Sequence, residues 1–66
     1  MSISENCERI LQTIDQLKRR KTRPDDDRII HMVNHQHGMT SDEAKACLES
    51  LVDQNLVIKV YQTFEL

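Results

Sequence analysis

The stretch from Ile29 to Val60, IIHMVNHQHGMTSDEAKACLESLVDQNLVIKV, decides the fold. At its centre His37-Gly38-Met39-Thr40 joins two segments of helical periodicity, and Gly38 stands where a left-handed helix cap is expected. Upstream, Ile29, Ile30, Met32 and Val33 supply the apolar side of one helix. Its start is marked by Pro24-Asp25-Asp26-Asp27: proline is tolerated in a first turn, and carboxylates there complement the positive end of the helix dipole. Downstream, Thr40 and Glu43 have the spacing of a capping box. Ala44, Cys47, Leu48, Leu51 and Val52 then recur on one helical face. Asn55 can close this helix in the left-handed region, and the β-branched run Leu56-Val57-Ile58-Lys59-Val60-Tyr61 reads as a strand.

Working outward, Ser2 and Glu5 form a second capping-box spacing. Ile3, Cys7, Ile10, Leu11, Ile14 and Leu17 make one apolar face, opposite Glu5, Glu8, Arg9, Gln12, Asp15 and Gln16. Arg23-Pro24 ends this block, because the residue before proline is pushed out of the α region. The expectation is a mostly α domain over residues 1–66, with helices at about 3–21, 25–37 and 41–54 and a strand at about 56–61. This is a helix-turn-helix core running into a wing, with the third helix in the recognition position. Only six residues follow Val60, so either the chain ends inside the wing or the wing is reduced to almost nothing.

Composition narrows the function classes. A chain of 66 residues buries only roughly 60% of its unfolded surface. That leaves little room for a core, a substrate pocket and a lid together, so a binding role is expected and an enzyme is not. One Gly and one Pro argue against a hairpin-rich sandwich. No apolar run approaches the roughly 18 residues of a spanning helix, and the N-terminus lacks a basic start and an apolar segment for secretion. Cys7 and Cys47 could form one bridge, but without a secretory context two reduced, packed thiols are the better reading. The net charge of −2 conceals a division. Residues 1–23 carry six Lys and Arg against three acids, and residues 24–66 carry three against eight.

The positive part gathers in Lys18-Arg19-Arg20-Lys21 and Arg23. Cations in a last turn also suit the helix dipole, and such a tetrad can be a nuclear-import address. Five cations within six positions can equally neutralise several phosphates, giving salt-dependent affinity with little sequence content. His31 and His35 are one turn apart, yet a structural metal site needs four ligands, and no metal or cofactor is expected. Asp25-Asp26-Asp27 cannot converge on one ion, since consecutive helical residues point about 100° apart. No Ser/His/Asp set, phosphate loop or activated thiol is present to support catalysis. Met32 and Met39 are expected to fill core gaps; Tyr61 and Phe64 either pack as a closing strand, the preferred reading, or stay partly exposed and mark a contact surface.

The residues Ile10-Leu11, Ile14 and Leu17-Lys18-Arg19-Arg20-Lys21-Thr22-Arg23-Pro24 resemble the atherin-type winged helix. That domain occurs in the SAM-domain chromatin protein atherin and at the N-terminus of the MYST acetyltransferases MOZ and MORF. The similarity continues through Asp27-Arg28-Ile29, His37-Gly38, Leu48 with Leu51, and Val57-Ile58-Lys59-Val60. It implies a monomeric, nuclear chromatin module of a larger protein that binds double-stranded DNA, in characterised members unmethylated and CpG-rich. By position, Arg20 and Lys21 match the family's minor-groove pair. Lys18, Arg19 and Arg23 become phosphate-contacting neighbours, with Lys59 as a further phosphate contact. The family's wing continues with a Lys-Gly loop, whereas this chain reads Tyr61-Gln62-Thr63-Phe64-Glu65-Leu66.

The third helix points to an alternative. Its polar side carries Asp42, Glu43, Glu49 and Asp53 against Lys45 alone. Deep in a major groove those acids would face phosphate walls. The alternative is therefore a protein-docking winged helix that offers this acidic face to a basic chromatin-protein partner.

Overall fold

The computed structural model describes residues 4–66. Three helices, α1 (Glu5–Arg19), α2 (Asp26–His37) and α3 (Ser41–Asp53), precede two strands, β1 (Ile58–Val60) and β2 (Thr63–Glu65). The architecture is a mostly helical winged helix. Among the described residues, no helix is long and apolar enough to cross a membrane.

Each helix stops and starts for a local reason. Ser4 caps α1: its hydroxyl accepts from the Cys7 amide at 3.3 Å. Ser2 and Ile3, and with them the expected box and the first apolar position, lie outside the described residues. The helix ends two residues before the expected position 21, because Lys21 turns left-handed at φ 56°. There the Lys21 and Thr22 amides donate back to the Lys18 and Leu17 carbonyls, at 3.0 and 2.9 Å. Asp25 caps α2 by accepting from the Arg28 amide, so Pro24 stands before the helix and not in its first turn. Gly38, at φ 68°, closes α2 as expected, and an added Cβ would meet nothing within 4 Å. Only the left-handed backbone calls for glycine there. The Thr40–Glu43 capping box forms in both directions.

The strand is shorter than the expected 56–61. Asn55 takes φ 61°, and the Leu56 and Val57 amides both donate to the Leu51 carbonyl, so these residues terminate α3 before any strand begins. β1 then pairs antiparallel with β2, with Val60 opposite Thr63, Lys59 opposite Phe64 and Ile58 opposite Glu65. The wing is therefore a hairpin with a two-residue loop, Tyr61-Gln62. Tyr61 adopts φ 62° without the glycine or asparagine that normally marks such a turn. A further bridge joins Asp25 to Thr63, and the Phe64 amide donates to the Pro24 carbonyl at 3.0 Å. The segment before α2 thus acts as a third, minimal strand.

The core lies where the three helices meet. Ile10, Ile14 and Leu17 from α1, Ile29 and Val33 from α2, and Ala44, Leu48 and Leu51 from α3 are buried with Met39, Val57 and Phe64. Thr13 is buried too, its hydroxyl donating to the Arg9 carbonyl at 2.8 Å. Cys7 is buried, while Cys47 is half-buried beside it with both thiols free. Burial, and then a hydrogen bond with Cys7, pushes the Cys47 thiol up to about 11. It is thus protonated and a poor nucleophile at neutral pH.

Candidate nucleic-acid interface

The basic cluster is displayed by the way α1 stops. Lys18 and Arg19 occupy the last turn, where they complement the negative end of the helix dipole, and Arg20 caps it. The left-handed step at Lys21 then redirects the chain, so the five cations spread around a helix end instead of running along one face. All five are exposed. Arg19 is paired with Asp15 at 3.0 Å in a solvent-facing i,i+4 contact, which restrains it weakly. Arg23 is the best anchored: its Nε donates to Thr63 Oγ1 at 2.8 Å, tying the basic step to β2. Lys18, Arg20 and Lys21 have no ion-pair partner among the described residues.

The tertiary structure adds a neighbour. A cleft between this step and the wing is lined by Lys18, Lys21, Arg23, Val60 and Tyr61, over Ile14 and Phe64. Tyr61 was expected to pack, as Phe64 does. Instead it is 85% exposed at the hairpin tip, next to the cations. Burying Phe64 and pairing it with Lys59 leaves Tyr61 in the loop with no core to reach. No pattern in the sequence distinguished these two aromatics.

Lys59 is placed elsewhere. Its ammonium lies 5.8 Å from the Phe64 ring centroid, in cation–π range. It lines a second cleft with Lys45, Asp26, Glu49 and Asp53 over Leu48. The basic cluster and Lys59 are therefore not gathered into one site. The acidic candidates on α3, Asp42, Glu43, Glu49 and Asp53, are all exposed, and Glu43 also accepts from Thr40 Oγ1 at 2.9 Å. His31 and His35 stack with centroids 6.5 Å apart. Among the described residues, no three His, Cys, Asp or Glu side chains converge to hold a metal.

A family model described as "SAM domain-containing protein 1, WH domain" matches residues 8–63. Sterile alpha motif domain-containing protein 1 of Mus musculus and of Homo sapiens are each 47% identical over 51 residues, 77% of this chain and 10% of their own length. Atherin of Oryctolagus cuniculus shows the same identity over 9% of its length. The chain thus spans about a tenth of these relatives. A crystal structure of the SAMD1 WH domain in complex with DNA superposes with a TM-score of 0.79 and 39% identity, covering 91% of this chain and 87% of that one.

Proposed function

The chain belongs to the SAMD1 winged-helix family, and on that premise we propose that it is a non-enzymatic DNA-binding module of a nuclear chromatin regulator. Arg20 and Lys21 enter the minor groove of a duplex, and Lys18, Arg19 and Arg23 follow the phosphates on either side. One observation carries this reading: a chain 39% identical and of the same fold binds DNA, and here five cations stand exposed at one helix end. The acidic α3 would repel phosphate in a deep major-groove position, which leaves the basic step and the wing tip as the binding edge. The finer part of the proposal, a preference for unmethylated CpG, falls to that wing tip. There Tyr61 takes the place of a Lys-Gly loop.

Fluorescence anisotropy with CpG, methylated CpG and A·T duplexes tests the reading. Four neutralised phosphates give a log K against log salt slope of about −3.6, or roughly 100-fold weaker binding between about 50 and 200 mM salt. No binding at the low-salt end would sink the DNA reading. A steep slope with equal affinity for the three duplexes would remove only the CpG preference.

The cleft beside α3 supports a second role compatible with the first: docking a basic chromatin-protein segment against Glu49 and Asp53. A Glu49→Lys/Asp53→Lys chain is expected to lose any partner that the unaltered chain holds by this face. A partner retained by the variant at equal affinity eliminates the face.

A further inference from the structure

The fold brings a further cation, Arg28, and an imidazole, His31, to Arg20, neighbours that its position in the chain does not suggest. Arg28 and His31 lie one turn apart on α2, and both line a notch whose far wall is Arg20. Leu17 and Met32 form an apolar floor, and Asp27 contributes one opposing carboxylate at the rim. Arg28, His31 and Arg20 are all exposed. The Arg28 guanidinium has only a long, solvent-facing contact with Asp25, Nε to Oδ2 at 3.9 Å, so it is not committed to an internal ion pair. The next turn of α2 adds His35, stacked on His31, so the cationic and imidazole groups form a row leading away from the basic step.

We propose that this notch is a phosphate seat: Arg28 and His31 hold a backbone phosphate of the duplex whose minor groove receives Arg20, while the sugar rests on Leu17 and Met32. A planar guanidinium offers paired donors to a phosphate, and an imidazole N–H supplies one more. An apolar floor matches the hydrocarbon face of a deoxyribose. The seat rests on the DNA reading above and deepens it, because it extends the footprint from one helix end along α2 and fixes which flank of the groove the domain covers. Phosphate contacts position a protein without reading bases, so the seat raises affinity equally on every sequence.

Titrating the whole 66-residue chain against a single duplex at several salt concentrations provides the test. Arg28→Gln is expected to weaken binding about 5-fold and to flatten the salt slope by about one, with the same loss on CpG and A·T duplexes. Arg28→Lys keeps the charge and restores most of the affinity. His31→Arg should tighten binding about 3-fold and steepen the slope. Lys45→Gln, which removes a cation in the α3 cleft, controls for net charge and should change affinity less than about 2-fold. Thermal melts of each variant separate lost folding from lost contact. If Arg28→Gln and Lys45→Gln weaken binding equally, or Arg28→Gln leaves the slope unchanged, the seat does not exist although the DNA reading stands. If the unaltered chain fails to bind at low salt, that reading and the seat fall together.

Discussion

Replacing Arg20 and Lys21 together by alanine is expected to weaken duplex binding by about 30-fold or more near 0.1 M salt and to reduce the salt slope by about two. The physical reason is that these two cations have no internal ion-pair partners among the described residues, so their charge is available to phosphate and groove edges. Folding should be nearly unaffected, since both side chains are exposed. A sharper version replaces Lys21 alone by glycine. Lys21 is held at φ 56° in a helix-terminating position where glycine is normally found. A left-handed backbone costs a residue with a Cβ roughly 1 kcal/mol, and glycine's greater freedom in the unfolded chain offsets part of the relief. Lys21→Gly should therefore melt at or slightly above the temperature of the unaltered chain while binding DNA several-fold more weakly. Opposite signs in the two measurements would locate the loss in the side chain. Unchanged DNA affinity in the double variant would refute the placement of the site.

The second large effect is expected at Phe64, the single phenylalanine in the chain. Its ring is buried against the helices, forms part of the floor of both clefts beside the wing, and lies under the Lys59 ammonium. An isolated two-stranded hairpin is marginal in water, so this ring holds the wing to the helices. Phe64→Ala should cost about 3–4 kcal/mol, against a total stability of roughly 3–10 kcal/mol for a domain of this size. The melting temperature should fall by roughly 15 °C or more, while Phe64→Leu should lose well under half as much. Thermal and urea unfolding followed by circular dichroism provide the measurement. A Phe64→Ala chain that melts within a few degrees of the unaltered one would mean that the wing is not fastened in this way. In the folded fraction, Arg23 would also lose a fixed Thr63 hydroxyl, which couples wing stability to the geometry of the basic step.

The helices were legible because their signals are local. Apolar residues three and four apart, a capping box at Thr40 and Glu43, and glycine at position 38 act within one or two turns, and the structure bears out the last two as expected. Ser4 caps α1, while Ser2 of the expected Ser2–Glu5 spacing lies outside the described residues. β2 was read only as a closing strand through Tyr61 and Phe64, without bounds or a pairing partner. Thr63-Phe64-Glu65 is short, and its loop lacks the small residues that announce a tight hairpin. Its pairing is instead enforced by Phe64 burial and by contacts with Pro24, Asp25 and Arg23, roughly 40 residues away in sequence.

By itself the sequence determined that this chain builds three capped helices around an aliphatic core and collects its positive charge at the end of the first. Only the tertiary structure decided how those charges are surrounded. It set Tyr61 beside Lys21, removed Lys59 to an acidic cleft, and brought Arg28 and His31 around to Arg20. Helix periodicity and caps depend on neighbours within a few residues, so the local sequence contains them. The company a side chain keeps across a fold depends on how helices pack and where a short wing is pinned, and those are settled by burial summed over the whole chain.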